Sequence, residues 1–456
     1  MEKLKIAIAG ATGFVGKNLI EKIKTDFDII ALSRSDRKNE DNIEWRKTDL
    51  FSLTSTSNSL KDADVAIYLV HSMMPSTRLF QGDFEDTDLL LADNFARAAK
   101  ENNIKQIIYL GGIVPEGHIS EHLKSRNEVE GVLRSSGVPV TVLRAGMVVG
   151  NGGSSFEILR HLVLNLPIMV LPQWTQNRTQ VIYISDLIRV ISNMIDNEDF
   201  KNSTLNVVTG EDLNYRDLII QMASKLNKSP LLLSVPVTSI EFSKLWVTIF
   251  GQSSYELVSP LLDSLLCDLP VSNSDPRVSK LIEHKTFYSM LGKFNLSEEK
   301  IPRKQRAVQQ ENSVRSVQRL GNEINANCGE IADEYLNWLP HYMKTIVHVK
   351  ENKQDENIIS FNLPMIESPL LILQYIPSDI EEDRRKFHIV GGVLSRTTNT
   401  GWLEFRQVDH KKYTLAAIHE FIPALPWYVY RFSQALAHKW VMNAFSKHLK
   451  EKLNNK

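Results

Sequence analysis

The sequence predicts a doubly wound α/β unit with a parallel sheet over residues 1–295, followed by an α+β unit with an antiparallel sheet. In the first 150 residues, short runs rich in Ile and Val alternate with amphipathic segments of helical periodicity. Strands of a parallel sheet have this composition because helices cover both faces. From residue 331 onward, strand-like runs follow one another with only turn residues between them, which is typical of an antiparallel sheet.

The elements of the first unit have distinct local signals. Residues 1–150 are predicted to form its core, and the weaker signals of residues 151–295 predict its remainder and a small substrate lobe. The predicted strands are Lys5–Ala9, Asp28–Leu32, Val65–Val70, Gln106–Leu110, Pro139–Leu143, Gln180–Ile184, Leu205–Val208 and Leu231–Val235. The predicted helices are Phe84–Lys100, Leu123–Ser135, Asp186–Ile195 and Tyr215–Leu226.

The rest of the chain is predicted to be a linker and a second domain. Residues 296–330 are polar, which favours a linker, and residues 331–456 carry the antiparallel pattern. The domain ends in a segment, Trp427–Leu453, with the periodicity of one long amphipathic helix. The strands predicted before it are Asn357–Phe361, Leu370–Ile376, Lys386–Val393, Gly401–Val408 and Tyr413–Phe421.

Composition excludes several classes of function. The chain has 456 residues, with 53 Lys and Arg against 54 Asp and Glu, and this balance argues against an electrostatic nucleic-acid binder. Two cysteines exclude a disulfide scaffold and a thiolate zinc site, and no His, Asp or Glu cluster has metal-ligand spacing. No apolar stretch reaches the ~18–20 residues of a bilayer span. We therefore expect a cytoplasmic protein without a transmembrane segment, whose partner is a small and largely apolar molecule.

A glycine turn follows the first predicted strand and opens the next helix. Glycine lets the backbone turn sharply and approach a pyrophosphate, and the helix N-terminus presents N–H groups to phosphates. A strand before the turn and a helix after it are the context in which such a motif indicates a bound dinucleotide. A tight turn without a ligand is the alternative. The candidate contacts are Gly10, Thr12, Gly13, Phe14, Val15 and Gly16.

The end of the second strand indicates which dinucleotide is preferred. An acidic residue there would hydrogen-bond the ribose 2′-hydroxyl and repel a 2′-phosphate. The chain instead has Ser33, Arg34 and Arg37, and a guanidinium binds phosphate through two parallel hydrogen bonds. These residues predict NADP(H) in preference to NAD(H). A solvated basic loop, which contains Asp36, is the alternative.

With these motifs, residues 1–295 resemble the short-chain dehydrogenase/reductase superfamily, in particular its atypical branch of NmrA-like and nucleotide-sugar-epimerase-like proteins. The resemblance implies a Rossmann-type fold that binds NAD(P), with Asp49 and Leu50 beside the adenine. It also implies cofactor contacts after the fourth strand, and we add the end of the fifth: Val70, His71 and Gly111. The motifs that carry the resemblance are GATGFVG, Thr48–Leu50, Asp62–Val65, His71–Met73, Val140–Gly146, Leu205–Gly210 and Tyr215–Leu218.

The chain departs from this superfamily at the residues that transfer protons. The superfamily's usual enzymes have a serine after the fifth strand and a Tyr-x-x-x-Lys pair on the next helix. Here His122 and Arg126 stand in the places of the tyrosine and the lysine, on one helical face. Because histidine titrates near neutral pH, His122 or His71 is a candidate proton donor, and Arg126 is a candidate contact to the nicotinamide ribose or a substrate oxygen. The alternative is that all three are structural.

Residues 331–456 resemble, less specifically, the helix-grip domains of the START/polyketide-cyclase-like superfamily. The resemblance rests on Gly391–Leu394, Gly401–Arg406 and the terminal helix, and it implies an apolar ligand between sheet and helix. An apolar stripe on the helix would face that ligand, although the same stripe could simply fill a core. The stripe consists of Trp427, Tyr430, Leu436, Trp440 and Phe445.

Three functions are consistent with these observations. The leading hypothesis is an NADP(H)-dependent oxidoreductase that acts on an apolar carbonyl or quinone-like compound. The missing Tyr-x-x-x-Lys pair favours a second hypothesis, a non-catalytic NAD(P)-binding sensor or regulator. The third is a lipid or quinone carrier whose C-terminal domain binds the cargo.

Overall fold

The structure is a computed structural model that divides into two units. The N-terminal unit comprises Met1–Met74 and Ala92–Lys304, and the C-terminal unit comprises Pro75–Leu91 and Gln305–Lys456. The residues that the structure describes are 3–72, 79–117, 119–236, 244, 247–248, 255–270, 274–294, 313–321, 326–343, 348–352, 355–362, 368–377, 383–396 and 401–454.

The helices and strands are numbered along the chain. The strands are β1 Lys5–Ala9, β2 Asp28–Ser33, β3 Ile43–Lys47, β4 Val65–Tyr68, β5 Leu79–Gln81, β6 Gln106–Gly112, β7 Val140–Ala145, β8 Met147–Val149, β9 Ile168–Leu171, β10 Arg178–Thr179, β11 Val181–Tyr183, β12 Thr204–Val207, β13 Leu213–Asn214, β14 Leu231–Ser234, β15 Val314–Gly321, β16 His348–Asn352, β17 Asp355–Asn362, β18 Leu371–Tyr375, β19 Arg384–Gly391, β20 Trp402–Val408 and β21 Tyr413–Phe421. The α-helices are α1 Phe14–Ile23, α2 Leu53–Leu60, α3 Phe84–Glu101, α4 Glu121–Ser135, α5 Ser154–Asn165, α6 Ile184–Met194, α7 Tyr215–Lys225, α8 Tyr255–Leu265, α9 Pro276–Ser279, α10 Phe287–Leu291, α11 Cys328–Tyr342, α12 Trp427–Phe432 and α13 Gln434–Asn454.

Seven parallel strands form the main sheet of the N-terminal unit, in the order β12-β7-β6-β4-β1-β2-β3. The central strands are apolar and buried apart from Lys5 at the start of β1, as helices on both faces require. The strand order reverses between β1 and β4, and open α/β sheets bind ligands at the carboxyl ends of strands at such a point. The fold class predicted from the sequence is confirmed.

A smaller lobe completes the N-terminal unit. Three short pairs, β8 with β11, β9 with β14 and β10 with β13, lie among helices α5, α7, α8 and α10. Their shared core is apolar and includes Phe156, Val258 and Phe287. This lobe is where the sequence predicts a substrate site.

The C-terminal unit has an eight-stranded sheet in the order β16-β17-β18-β19-β20-β21-β15-β5. Every pair is antiparallel except β15 with β5. Helix α11 packs on β19 and β20, and α13 packs on β15. The antiparallel sheet and the terminal helix agree with the prediction, whereas the likeness to a helix-grip domain stays a prediction.

Three details of the C-terminal unit differ from the sequence-based expectation. Residues 314–321 form β15 inside the segment predicted as a linker, and β5 comes from the first hundred residues. The terminal helix is interrupted at Ser433, where φ is −129° and ψ is −83°. The predicted apolar stripe is split: Tyr430 and Phe445 are buried, whereas Leu436 and Trp440 are exposed, so it does not face one space. The side chain of Trp427 lies outside the described set.

The glycine turn after β1 generates a prediction about stability. A Cβ on Gly16 would lie 2.8 Å from the Cα of Ala11, because α1 starts directly against the turn. We expect Gly16→Ala to lower the free energy of unfolding by about 1–3 kcal/mol, the usual cost of overpacking. Gly13→Ala is the matched control. At Gly13, φ is −75° and a Cβ would meet only Gly10 O, at 3.1 Å, so its cost is at most about 1 kcal/mol. Thermal denaturation of the full chain measures both, and equal losses would contradict this interpretation.

Candidate functional site

The turn after β1 has the geometry of a phosphate cradle. Gly10 has a φ of +88°, and a Cβ there would lie 2.9 Å from Leu69 O at the end of β4. The amide of Gly13 donates to Gly10 O at 2.9 Å and closes the turn. Gly13 is also the N-cap of α1, and both it and Thr12 are exposed.

The N-terminus of α1 fits an anionic ligand. Its N-cap is a glycine without a side chain to cap the first N–H groups, and its first turn contains no acidic residue. The helix dipole and those N–H groups therefore favour a bound phosphate at this end. The Phe14 ring packs so closely on the loop after β8 that a Cβ on Gly150 would lie 2.7 Å from it. The cofactor contact predicted for Phe14 stays a prediction.

Five further predicted cofactor residues lie at or just beyond the carboxyl ends of β2 and β3. Ser33 ends β2, is buried, and accepts a hydrogen bond from the amide of Ser35 at 3.3 Å. Arg34 follows it and is exposed, and the Arg37 guanidinium lies 4.9 Å from the centre of the Trp45 ring. After β3, Asp49 and Leu50 are half-buried.

A cavity of about 320 Å³ opens at the carboxyl ends of β6 and β7. Gly111, Gly112 and Ala145 form its edge at the sheet, and the small lobe supplies most of its wall. That wall is predominantly apolar and includes Leu159, Leu162, Leu171, Trp174, Val258 and Leu262. The size is in the range of small-molecule sites, and the composition favours an apolar ligand.

The structure brings the two candidate histidines together in this cavity. The rings of His71 and His122 lie 4.9 Å apart between centroids, at an angle of 42°. The Nδ1 of His122 lies 2.9 Å from Ser264 Oγ, and Ser264 Oγ lies 3.0 Å from Ser120 Oγ, at the N-cap of α4. These contacts fix the rotation of the His122 ring at the cavity wall.

Arg126 lines the same cavity but is engaged by the backbone. Its guanidinium donates to Val70 O at 3.3 Å, after β4, and to Leu110 O in β6. Its own carbonyl accepts a hydrogen bond from Tyr109 Oη at 3.0 Å. Arg126 thus ties helix α4 to two neighbouring strand ends, a role that the sequence-based prediction of a ribose or substrate contact did not include.

Tyr215 and Thr179 form another polar part of the cavity wall, away from the two histidines and Arg126 in the sequence. Burial raises the pKa of Tyr215 to about 12, against the opposing effect of its hydrogen bond with Thr179. The phenol is therefore neutral near pH 7. The Trp174 ring packs edge-on against Tyr215, with centroids 5.9 Å apart.

Sequence reasoning missed Ser264 and Tyr215 as site residues. Ser264 lies 142 residues from His122, on a helix without a recognisable motif, so only the fold brings the two together. Tyr215 belongs to a motif that carried the family resemblance, but its spacing did not indicate that it lines a cavity. Burial among apolar neighbours is a property of the fold.

The fold also assembles a group of potential metal ligands that sequence spacing did not indicate. Donor atoms of Asp186, Glu283 and His284 lie within 4.8 Å of one another. Arg189 Nη1 contacts both carboxylates, at 3.4 Å for Asp186 and 2.8 Å for Glu283. Because Arg189 already pairs with both carboxylates and His284 Nδ1 lies 3.0 Å from Asp186 Oδ2, we interpret the group as an ion-pair cluster that anchors α6.

Comparisons with known proteins also indicate a site for a nicotinamide dinucleotide. Residues 10–162 match the family model described as NAD(P)H-binding. The auxiliary protein GraX of Staphylococcus aureus is 34% identical over 113 residues, which cover 24% of this chain and 37% of GraX. The chain therefore spans little more than a third of that relative's length.

Two further relatives cover the N-terminal unit more completely. The UDP-glucose 4-epimerase of Vibrio cholerae is 24% identical over 290 residues, or 58% of this chain and 87% of the epimerase. The crystal structure of a nucleoside-diphosphate-sugar epimerase from Staphylococcus aureus superposes with a TM-score of 0.50 at 18% identity, covering 63% of this chain and 99% of that one. Residues 10–162 therefore match an NAD(P)H-binding family model, and the N-terminal unit shares the fold of this epimerase.

Proposed function

We propose that this protein is an NADP(H)-dependent oxidoreductase that reduces an apolar carbonyl compound, with quinone-like compounds in the same class. One observation carries the proposal: an apolar cavity opens at the carboxyl edge of the sheet, with His71 and His122 in its wall. The ligand end of the sheet, the glycine turn and a group able to transfer a proton thus lie in one unit.

The lining supports an apolar substrate over a nucleotide sugar. The epimerase relatives are named for UDP-linked sugars, whose diphosphate and hydroxyl groups need charged and polar partners. Among the described lining residues, Arg126 supplies a guanidinium, and its donors are directed at Val70 O and Leu110 O. Leu, Ile and Val side chains make up most of the remaining wall.

The chemistry divides between the cofactor and this chain. NADPH held at the glycine turn would supply the hydride for the carbonyl carbon. His122 donates the proton that the carbonyl oxygen needs, so that the product is an alcohol and the imidazole is left neutral. Ser264 and Ser120 hold the His122 ring in position, and His71 packs beside it. Arg126 keeps the strand ends in place.

We expect Gly13→Val to abolish NADPH binding while the fold is retained. The added side chain would fill the space beside the exposed N-terminus of α1, and φ at Gly13 is −75°, which valine tolerates. Fluorescence titration with NADPH measures the affinity, and circular dichroism checks the fold. A folded variant with wild-type affinity would show that the turn is only structural.

Arg34→Ala tests the preference for NADP(H). Removing a guanidinium that binds the 2′-phosphate should weaken NADPH binding by about 1.5–3 kcal/mol and leave NADH almost unchanged. Lys22→Ala, at the other end of α1, is the control for the same loss of charge. If both cofactors weaken equally with Arg34→Ala, the residue does not select the phosphate.

His122→Phe should lower the rate of carbonyl reduction by about 10²–10⁴-fold, the usual contribution of general acid catalysis. NADPH affinity should stay within a few-fold, because the glycine turn is untouched. A general acid must be protonated, so the wild-type rate should fall as the pH rises through the range where imidazoles titrate, and the variant should lack this fall. His71→Phe is tested in parallel, and His341→Phe in the C-terminal unit is the matched control.

The sensor hypothesis makes a different prediction for the same assays. Here Arg126 binds the backbone, which fits a site that has lost the usual proton relay. Tight NADPH binding without oxidation of NADPH by any quinone, aldehyde or ketone in a broad panel would reject the oxidoreductase and favour the sensor.

A further inference from the structure

The two C-terminal helices present an exposed apolar surface. Tyr428 and Phe432 lie four residues apart on α12, and Leu436 and Trp440 lie four residues apart on α13; their side chains are 55%, 75%, 59% and 54% exposed. Val429 is exposed beside them. We call these five residues the aromatic face.

The aromatic face is additional to the side of the helices that packs on the sheet. The buried side chains of the same helices include Tyr430, Ala435, Met442, Phe445 and Leu449, and they belong to the core of the C-terminal unit. The residues of the aromatic face are exposed, and the Trp440 ring also lies 5.1 Å from the Tyr342 ring, between centroids. Large exposed apolar surfaces with this clustering mark an interaction site.

The segment that carries the aromatic face is basic. From Phe421 to Asn454 the sequence has five Lys and Arg residues and one acid, Glu451, in a chain whose net charge is −1. Lys439 stands next to Trp440 and is exposed, as are Lys447 and Lys450 further along α13. Two of the five cations are ion-paired: Lys452 with Glu334 of α11 at 2.7 Å, and Lys447 with Glu451 at 3.6 Å. Lys439 and Lys450 therefore supply the charge that favours a partner with an anionic surface.

We propose that the aromatic face docks on the surface of an anionic phospholipid bilayer. Aromatic and leucine side chains settle at the boundary between headgroups and acyl chains, and neighbouring lysines attract anionic headgroups. Among the described residues no helix has the length and apolarity to cross a membrane, so the contact is with the surface. This inference does not depend on the proposed oxidoreductase function.

The lysines beside the aromatic face argue against a second copy of the chain as its binding partner. A twofold dimer through this face would bring the same lysines of both copies together, since such an interface pairs one patch with itself. Like charges across an interface oppose association. An anionic lipid surface removes that repulsion and gains from each lysine near it.

Cosedimentation of the full chain with vesicles tests the proposal. We expect binding to vesicles of equal parts phosphatidylcholine and phosphatidylglycerol, and much weaker binding to phosphatidylcholine alone. The double substitution Phe432→Ser and Trp440→Ser should weaken binding by at least about tenfold, because it removes the inserted apolar area. Lys439→Glu should weaken it by about fivefold or more. Tyr288→Ser is the matched control, because Tyr288 is 53% exposed in the N-terminal unit.

A second measurement uses the wild-type chain, so that the proposal can still be tested if the double variant does not fold. Brominated lipid should quench part of the tryptophan fluorescence of the wild type, and Trp440→Phe should remove that part. The proposal is overturned if the folded wild type does not bind anionic vesicles, or if the double variant binds them as tightly as the wild type does. It is also overturned if the face mediates self-association instead, seen as a dimer in sedimentation velocity that the double variant abolishes.

Discussion

The candidate site depends on one guanidinium. Arg126 donates from helix α4 to Val70 O and Leu110 O, carbonyls that two neighbouring parallel strands expose where they end. Val70 lies just after β4, and Leu110 lies near the end of β6, where it is still paired with Leu143 of β7. The planar guanidinium of arginine can donate to two acceptors at once, whereas the ammonium group of lysine acts as a point charge and is less suited to this. Because α4 is held to the strand ends in this way, His122 faces the cavity.

The proposed role of His122 as proton donor gives a chemical rationale for the change from the usual Tyr-x-x-x-Lys pair. A tyrosine needs a nearby cation to lower its pKa before it exchanges a proton near neutral pH. A histidine needs no such help, since an imidazole titrates in that range. The cation is then available for a structural role, which is the one that Arg126 has here. The two substitutions are therefore chemically coupled.

The sequence predicted the parts of the fold whose signals are local. The glycine turn and the buried strands follow from contiguous residues, and the seven-stranded sheet has the predicted class. Ser264 was missed because its contact to His122 spans 142 residues. Strand β5 has three residues, too few for a periodic signal. The apolar stripe was misread because apolar residues occupy two sides of the terminal helices, and periodicity alone does not say which side packs on the sheet.

The apolar cavity and the aromatic face are separate features, and both connect the protein with compounds that collect in bilayers. A compound apolar enough to fill a cavity lined by leucine, isoleucine and tryptophan side chains transfers favourably out of water and collects in bilayers. A reductase of such a compound meets little of it in bulk solution. Docking at a membrane surface would raise the local concentration of the substrate without any change in the site, as in other cases of effective concentration. The two proposals therefore support each other in function, while each rests on residues that the other does not use.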